Sequence, residues 1–244
     1  RVFGMADPQY LVLYFHGIPI CAVQQGKVRK IMSKAIVFTG GGGPDYLPDD
    51  LIDRGDYLIA ADSGFDKAKA LGITVHYVIG DFDSTQFVRE ALSVDHELYP
   101  SEKEYSDTYL AIENALTHVD GGYVLVGGGG YRLDHLLQTY SLFSQFGPPM
   151  LWLTRYESNF LVTSYKRFDK LSKGETVSLY PATLEGEASV KAKELRWPLD
   201  SYQMSFSSFS LSNSCMEECL EVHVEGDPIF VSFPVARKQD KMVP

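Results

Sequence analysis

The sequence predicts an α/β fold, with a mostly parallel α/β/α domain followed by an antiparallel β-sandwich. Three observations carry this. From Lys34 to about Arg155, short continuous apolar runs alternate with helical periodicity, as expected for strands covered on both faces. After Phe160 the runs alternate apolar with polar and are separated by turn signals such as Lys173-Gly174-Glu175 and Gly226-Asp227-Pro228. The 244 residues, 45% hydrophobic, are enough for two cores. The expected division is an extension at 1–33, the α/β domain at 34–155, the sandwich at 156–235 and a polar tail at 236–244.

The elements follow in order. Residues 1–31 hold two apolar runs, Tyr10–Phe15 and Ile18–Val23, joined through His16-Gly17, and predict a short hairpin outside the main fold rather than a signal peptide. Ala35–Thr39 is the first buried strand and ends in four glycines; Tyr57–Ala61 ends in Asp62-Ser63-Gly64, with a helix through Phe65, Ala68 and Leu71. Tyr77–Ile79 runs into Gly80-Asp81, and His96–Tyr99 is a shorter strand. Ser106 reads as the N-cap of a helix with Leu110, Ala111, Ala115 and Leu116 inside. Tyr123–Val126 ends in a second glycine run, Leu133–Phe146 is helical, and Met150–Leu153 closes the series.

Bulk properties narrow the function. A formal charge of −10 argues against a protein that tracks a nucleic-acid backbone. It suits a cationic substrate, or a phosphate that arrives with its own metal. Cys21, Cys215 and Cys219 show no metal-like spacing and read as thiols of a reducing, cytoplasmic compartment. No apolar run approaches the roughly 20 residues of a membrane span.

Three acidic clusters carry the chemistry: Gly80-Asp81-Phe82-Asp83-Ser84, Glu102 to Asp107, and Gly127 to His135. Each falls where an apolar run gives way to a turn or helix, so all should meet at the carboxyl ends of the strands, where such sheets bind ligands. On an extended segment Asp81 and Asp83 would point the same way, as two oxygens for a hard cation. Read locally, Asp83 or Ser84 instead caps the next helix. With Asp62 and Asp107 nearby the carboxylates crowd, which is unfavourable without a cation. Gly40 to Gly43, with Gly41 and Gly42 central, matches neither a P-loop nor a dinucleotide fingerprint, yet lets backbone approach phosphate. The second run, including Gly128 and Gly129, is followed by Arg132, which can fork onto phosphate, and by Asp134 and His135, where the histidine can equally orient the aspartate. Lys103 is either a solvated lysine or a phosphate ligand. Trp197 and Leu211–Ser214, a polar turn before the last strands, both read as core. Together the clusters describe a Mg-nucleotide site, which makes the first domain nucleotide-binding.

From about Lys34 to Pro234 the chain resembles the thiamine pyrophosphokinase family. The resemblance rests on Ala61–Gly64, Gly80–Ser84, Lys103 with Ser106-Asp107, Gly128 to His135, Gly174–Pro181, Leu195–Leu199 and Leu211–Asn213. Ser106 departs from the threonine usual there but keeps the hydroxyl. The resemblance implies a homodimer that moves the pyrophosphoryl group of Mg-ATP to the hydroxyl of thiamine. It implies Asp81, Asp83 and Asp107, with Asp62, as Mg²⁺ ligands, and Lys103 as a catalytic cation. Gly41, Gly42, Ser63, Ser84, Ser106, Gly128, Gly129, Arg132, Asp134 and His135 would line the nucleotide. Trp197, Ser212 and Asn213 become thiamine contacts, shared across the dimer interface, where an aromatic face suits a cationic ring. A pyrophosphokinase for a hydroxymethyl pterin, or a non-catalytic regulator on the same scaffold, are the rival readings. The regulator would be expected to lose some of Asp81, Asp83 and Asp107, and the chain retains all three.

Overall fold

A computed structural model describes residues 11–15, 18–24, 27–30, 34–130 and 132–235. Tyr10, the His16-Gly17 turn, Tyr131 and the 236–244 tail of the expectations above lie outside the described residues. Before Lys34, strands β1 (Leu11–Phe15), β2 (Ile18–Gln24) and β3 (Lys27–Lys30) pair antiparallel in a sheet that shares no strand with the others. The hairpin expected there is the β1–β2 pair.

Six strands are parallel: β4 (Ala35–Phe38), β5 (Tyr57–Ala61), β6 (Tyr77–Gly80), β7 (Asp95–Leu98), β8 (Tyr123–Val126) and β9 (Leu151–Leu153). Their order is β9-β8-β4-β5-β6-β7, so the chain leaves β4 in one direction and returns on its other side at β8. Alternation along each strand divides the apolar side chains between two cores. Ala35 and Val37 pack with Leu110 and Ile112 of helix α3 (Asp107–His118) and Phe143 of helix α4 (Leu133–Phe146). Ile36 and Phe38 face the other way, onto Phe65 and Ala68 of helix α1 (Gly64–Ala70) and Ala91 of the short helix α2 (Val88–Ala91).

The sandwich is present, and its first sheet is the continuation of the parallel one. Only Thr154, Arg155 and Tyr156 separate β9 from strand β10 (Glu157–Val162), so β10 folds straight back and pairs antiparallel with it. Strands β17 (Ile229–Pro234), β12 (Thr176–Pro181) and β15 (Ser210–Ser214) extend the sheet to ten, with β15 at the edge. A second sheet, β11 (Tyr165–Asp169), β16 (Cys219–Gly226), β13 (Ala188–Ala192) and β14 (Leu199–Met204), closes over it. Between them lie Val177, Leu179, Val190, Leu220, Val222 and Val231, all fully buried. No helix among the described residues is long and apolar enough to cross a membrane.

Candidate functional site

The reversal of strand order around β4 opens a crevice at the carboxyl ends of β4 and β8, the position where sheets of this kind bind ligands. A cavity of about 250 Å³ occupies it, lined among others by Gly41, Asp62, Ser106, Asp107, Gly128 and Arg132. A second hollow, sharing Thr39, Gly40, Gly41, Ser63 and Ser84, continues past Gly42 and Gly43 to Lys67 and Arg155.

Three carboxylates gather beside the first cavity, and two of them, Asp62 and Asp107, line it. Asp62 follows β5, Asp81 follows β6 and Asp107 opens α3; one oxygen from each lies within 4.8 Å of the other two. The backbone is shaped for this. Asp62 adopts a left-handed conformation with φ 44°, a rare state that turns the chain sharply off the strand. Gly80, at φ 143°, must be glycine: a Cβ there would lie 3.0 Å from Asp107 Oδ1 and 3.1 Å from Asp62 Cβ. Asp62 Oδ1 and Asp107 Oδ1 are buried without a hydrogen-bond partner among the described residues. Such oxygens are costly unless a cation completes them.

Lys103 supplies part of that charge. Its ammonium is 2.9 Å from Asp81 Oδ2 and 3.1 Å from Asp107 Oδ1, close enough to the latter for charge compensation but off the hydrogen-bond direction. Burial raises the pKa of Asp62, and the negative charges of Asp107 and Asp81 add to the rise against the backbone amides of Ser63 and Ser84. Burial also raises Asp107, with Asp81 adding to it and Lys103 opposing. At Asp81 burial acts upward too, but the Lys103 hydrogen bond and the Asp83 amide outweigh it, so the carboxyl falls below its ordinary value. Three oxygen donors at this spacing could hold a hard cation, and two of the oxygens have no hydrogen-bond partner among the described residues. The residues fit.

The glycine loops face this acidic floor. Gly42 takes φ 76°, where a Cβ would be 3.1 Å from the Gly129 oxygen, so the two runs approach as only glycine allows. Gly128 N–H donates to Gly40 O, and Trp152 Nε1 donates to Gly127 O, holding the second loop down. The amides of Gly41, Gly42, Gly129 and Gly130 make no intramolecular hydrogen bond among the described residues. A pair of such loops beside the N-termini of α3 and α4 is suited to polyphosphate oxygens.

The remaining expected residues fall as follows. Asp83 lies outside the carboxylate group. Phe82 has φ 60°, so the segment is not extended, as the alternation argument required, but folds so that Asp81 Oδ1 accepts from the Asp83 amide. Asp83 instead accepts from Ser84 Oγ, and neither caps α2, which starts at Val88 after Phe87. Ser63 and Ser84 line both hollows. Ser106 caps α3 as expected, accepting from Tyr109 N–H at 3.2 Å. Arg132 lines the cavity with an exposed guanidinium held in a two-point pair to Asp134, at 3.1 and 2.5 Å. Asp134 also accepts from the His135 amide, and His135 reaches the cavity.

On the sandwich, Trp197 is 56% exposed, which overturns its reading as core, and Leu211–Ser214, also read as core, lies in edge strand β15 with only Asn213 buried. Asn213 is buried and spent on that loop: it accepts from Trp197 N–H, donates to Trp197 O and Ser210 Oγ, and so presents the indole. Ser212 is exposed at φ 51°. Trp197 and Asn213 are thus brought together, away from the phosphate-facing clusters in sequence.

Four lining residues escaped the sequence reading: Thr39, Thr108, Gln138 and Thr139. Gln138 and Thr139 stand three and four places after His135, so helical spacing from the recognised end of α4 was the available signal.

Comparison with known proteins is consistent with this geometry. A family model described as the thiamin pyrophosphokinase catalytic domain matches residues 48–150, and its vitamin B1 binding domain matches 164–228; together they span more than half of the chain. The chain belongs to the thiamin pyrophosphokinase family. The first match takes in the carboxylates, Lys103, Arg132 and His135, and the second takes in Trp197, Ser212 and Asn213. Among solved structures, the thiamine pyrophosphokinase of Bacillus subtilis is 18% identical with a TM-score of 0.66, covering 84% of this chain and 100% of its own. The Geobacillus thermodenitrificans enzyme is 20% identical with a TM-score of 0.64, covering 84% and 99%. That of Candida albicans is 16% identical with a TM-score of 0.60, covering 84% and 90%. At these identities the likeness is one of fold. No curated protein matches the chain.

Proposed function

We propose that this member of the thiamin pyrophosphokinase family transfers the intact pyrophosphoryl group of Mg-ATP to the hydroxyl of thiamine, giving thiamine diphosphate and AMP. The observation that carries the proposal is the facing of two charge systems. Asp62, Asp81 and Asp107 form a carboxylate group with two unspent oxygens, and Asp62 and Asp107 share a cavity with Gly41 and Gly130, whose amides are unspent. That combination suits a triphosphate bound together with its metal and little else.

Asp62, Asp81 and Asp107 would hold Mg²⁺. Bound there, the ion supplies charge neutralisation across the phosphates. The glycine amides and the hydroxyls of Ser63, Ser84 and Ser106 orient phosphate oxygens, and Arg132 can exchange Asp134 for phosphate at the rim. The thiamine oxygen attacks the β-phosphorus, the bond to the α,β-bridging oxygen breaks, AMP leaves with that oxygen, and the hydroxyl proton passes to solvent. Positioning and charge stabilisation do most of this.

The acceptor side rests on Trp197, whose exposed face suits a thiazolium or pyrimidine ring. Phe206, Phe209, Leu211 and Met216 are also exposed on the loops and edge strand of the sandwich, and we assign that face to a second copy in a homodimer. The free thiols of Cys215 and Cys219 suit a cytoplasmic setting.

The experiment is incubation with ATP, Mg²⁺ and thiamine. Thiamine-dependent AMP supports the reading; ADP in its place, or AMP without thiamine, contradicts it.

A further inference from the structure

Ser106 does two jobs at once, and a residue outside the expected site arranges the second. Its Oγ accepts from Tyr109 N–H at 3.2 Å, the ordinary N-cap bond of α3. It also accepts from Gln138 Nε2 at 2.9 Å, across from α4. A hydroxyl has two acceptor lone pairs and one proton. With both lone pairs committed, the proton has one direction left, and it finds no acceptor among the described residues. Ser106 and Gln138 both line the cavity, along with Gly41 and Gly128.

We propose that Gln138 is a positioning residue: it fixes the Ser106 hydroxyl so that its proton is donated to a phosphate oxygen of the bound nucleotide. The proposal rests on the reading of the crevice as a Mg-ATP site and deepens it. A serine side chain rotates among three staggered positions, and the N-cap bond alone leaves the hydroxyl proton free to turn. Gln138 removes that freedom from the opposite helix. The same pair ties the start of α3 to the second turn of α4, so two helix N-termini that face the cavity keep their spacing.

The test uses the full-length protein and the Mg complex of α,β-methylene-ATP, which cannot release AMP, with binding followed by calorimetry. Gln138→Ala should weaken binding about 3- to 10-fold, the worth of one hydrogen bond made or misdirected. Ser106→Ala should weaken it at least as much, and the double variant no more than Ser106→Ala alone, because Gln138 acts through Ser106. Additive losses in the double variant would overturn the proposal while leaving the Mg-ATP reading intact. Failure of the unaltered protein to bind the nucleotide would overturn both. Thermal unfolding of each variant separates these outcomes from simple loss of fold: a positioning role lowers nucleotide affinity in proteins that still melt as folded domains, and a merely structural defect lowers the melting temperature in proportion.

Discussion

Replacing Lys103 by methionine removes the internal counter-charge of the acidic site while keeping the length of the side chain. Lys103 is largely buried, with 12% of its side chain exposed, against 11% for Asp81 and 22% for Asp107. Two unit charges at the 4.8 Å limit of the carboxylate group repel by about 3 to 4 kcal/mol at an effective dielectric of 20. Removing one partner of a buried pair costs about 3–5 kcal/mol, and partial exposure with some proton uptake reduces that to about 2–3 kcal/mol here. For a domain of this size the melting temperature should drop by about 4–10 °C at neutral pH with a chelator present. Millimolar Mg²⁺ should recover most of it, since the ion replaces the missing charge. Acid should recover it as well. Asp62 and Asp107 have raised values in the fold, so the folded state holds protons more tightly than the unfolded chain; the penalty they impose is absent below the ordinary carboxylate range and grows as pH rises through their raised values. Asp81 runs the other way in the parent: its lowered value contributes stability at neutral pH that disappears as pH falls, and this contribution should vanish with the lysine. The assay is thermal unfolding from pH 4 to 8, with Mg²⁺ or with chelator. A Lys103→Met protein that melts with the parent at neutral pH in chelator, and gains nothing extra from Mg²⁺, would refute the reasoning.

Asp107→Asn should lower turnover by at least about 100-fold with the fold intact, because a charged donor at a phosphoryl-transfer site is worth several kcal/mol; steady-state AMP release at saturating Mg²⁺ checks this. Trp197→Ala should weaken thiamine by roughly 5- to 150-fold and Mg-ATP hardly at all, measured by separate titrations, since the indole is exposed on the sandwich and holds no phosphate-facing partner. Asn213→Ala should cost about 1–3 kcal/mol in unfolding free energy and weaken thiamine with it, as its buried amide organises the Trp197 loop. Removing residues 1–31 should leave melting temperature and turnover largely unchanged, because β1–β3 form a sheet of their own.

The strands and helices around the crevice were legible because their burial is two-sided and their breaks are sharp. Ala35–Phe38 and Tyr123–Val126 are uninterrupted apolar runs closed by glycine, and both are wholly buried strands. The cap at Ser106 was legible for the same local reason. What stayed hidden depended on backbone twists and on pairs distant in sequence. The left-handed turn at Phe82 redirects Asp83, and an apolar residue there gives no sign of it. Trp197 looked like core because an aromatic in an apolar run usually is. Its exposure comes from Asn213, 16 residues away, holding the loop outward. Gln138 carried no motif, and its meaning lies in a bond to Ser106 that spans 32 positions. The joining of the sandwich to the parallel sheet followed from the short β9–β10 turn, which was read as a boundary rather than a hairpin.

Phosphorus NMR of a reaction containing ATP, Mg²⁺ and thiamine tests the central claim most directly. The β- and γ-phosphorus signals of ATP should move together onto thiamine diphosphate, one for each AMP formed, with no change when thiamine is left out. Thiamine monophosphate appearing with ADP, or inorganic phosphate appearing alone, would contradict it.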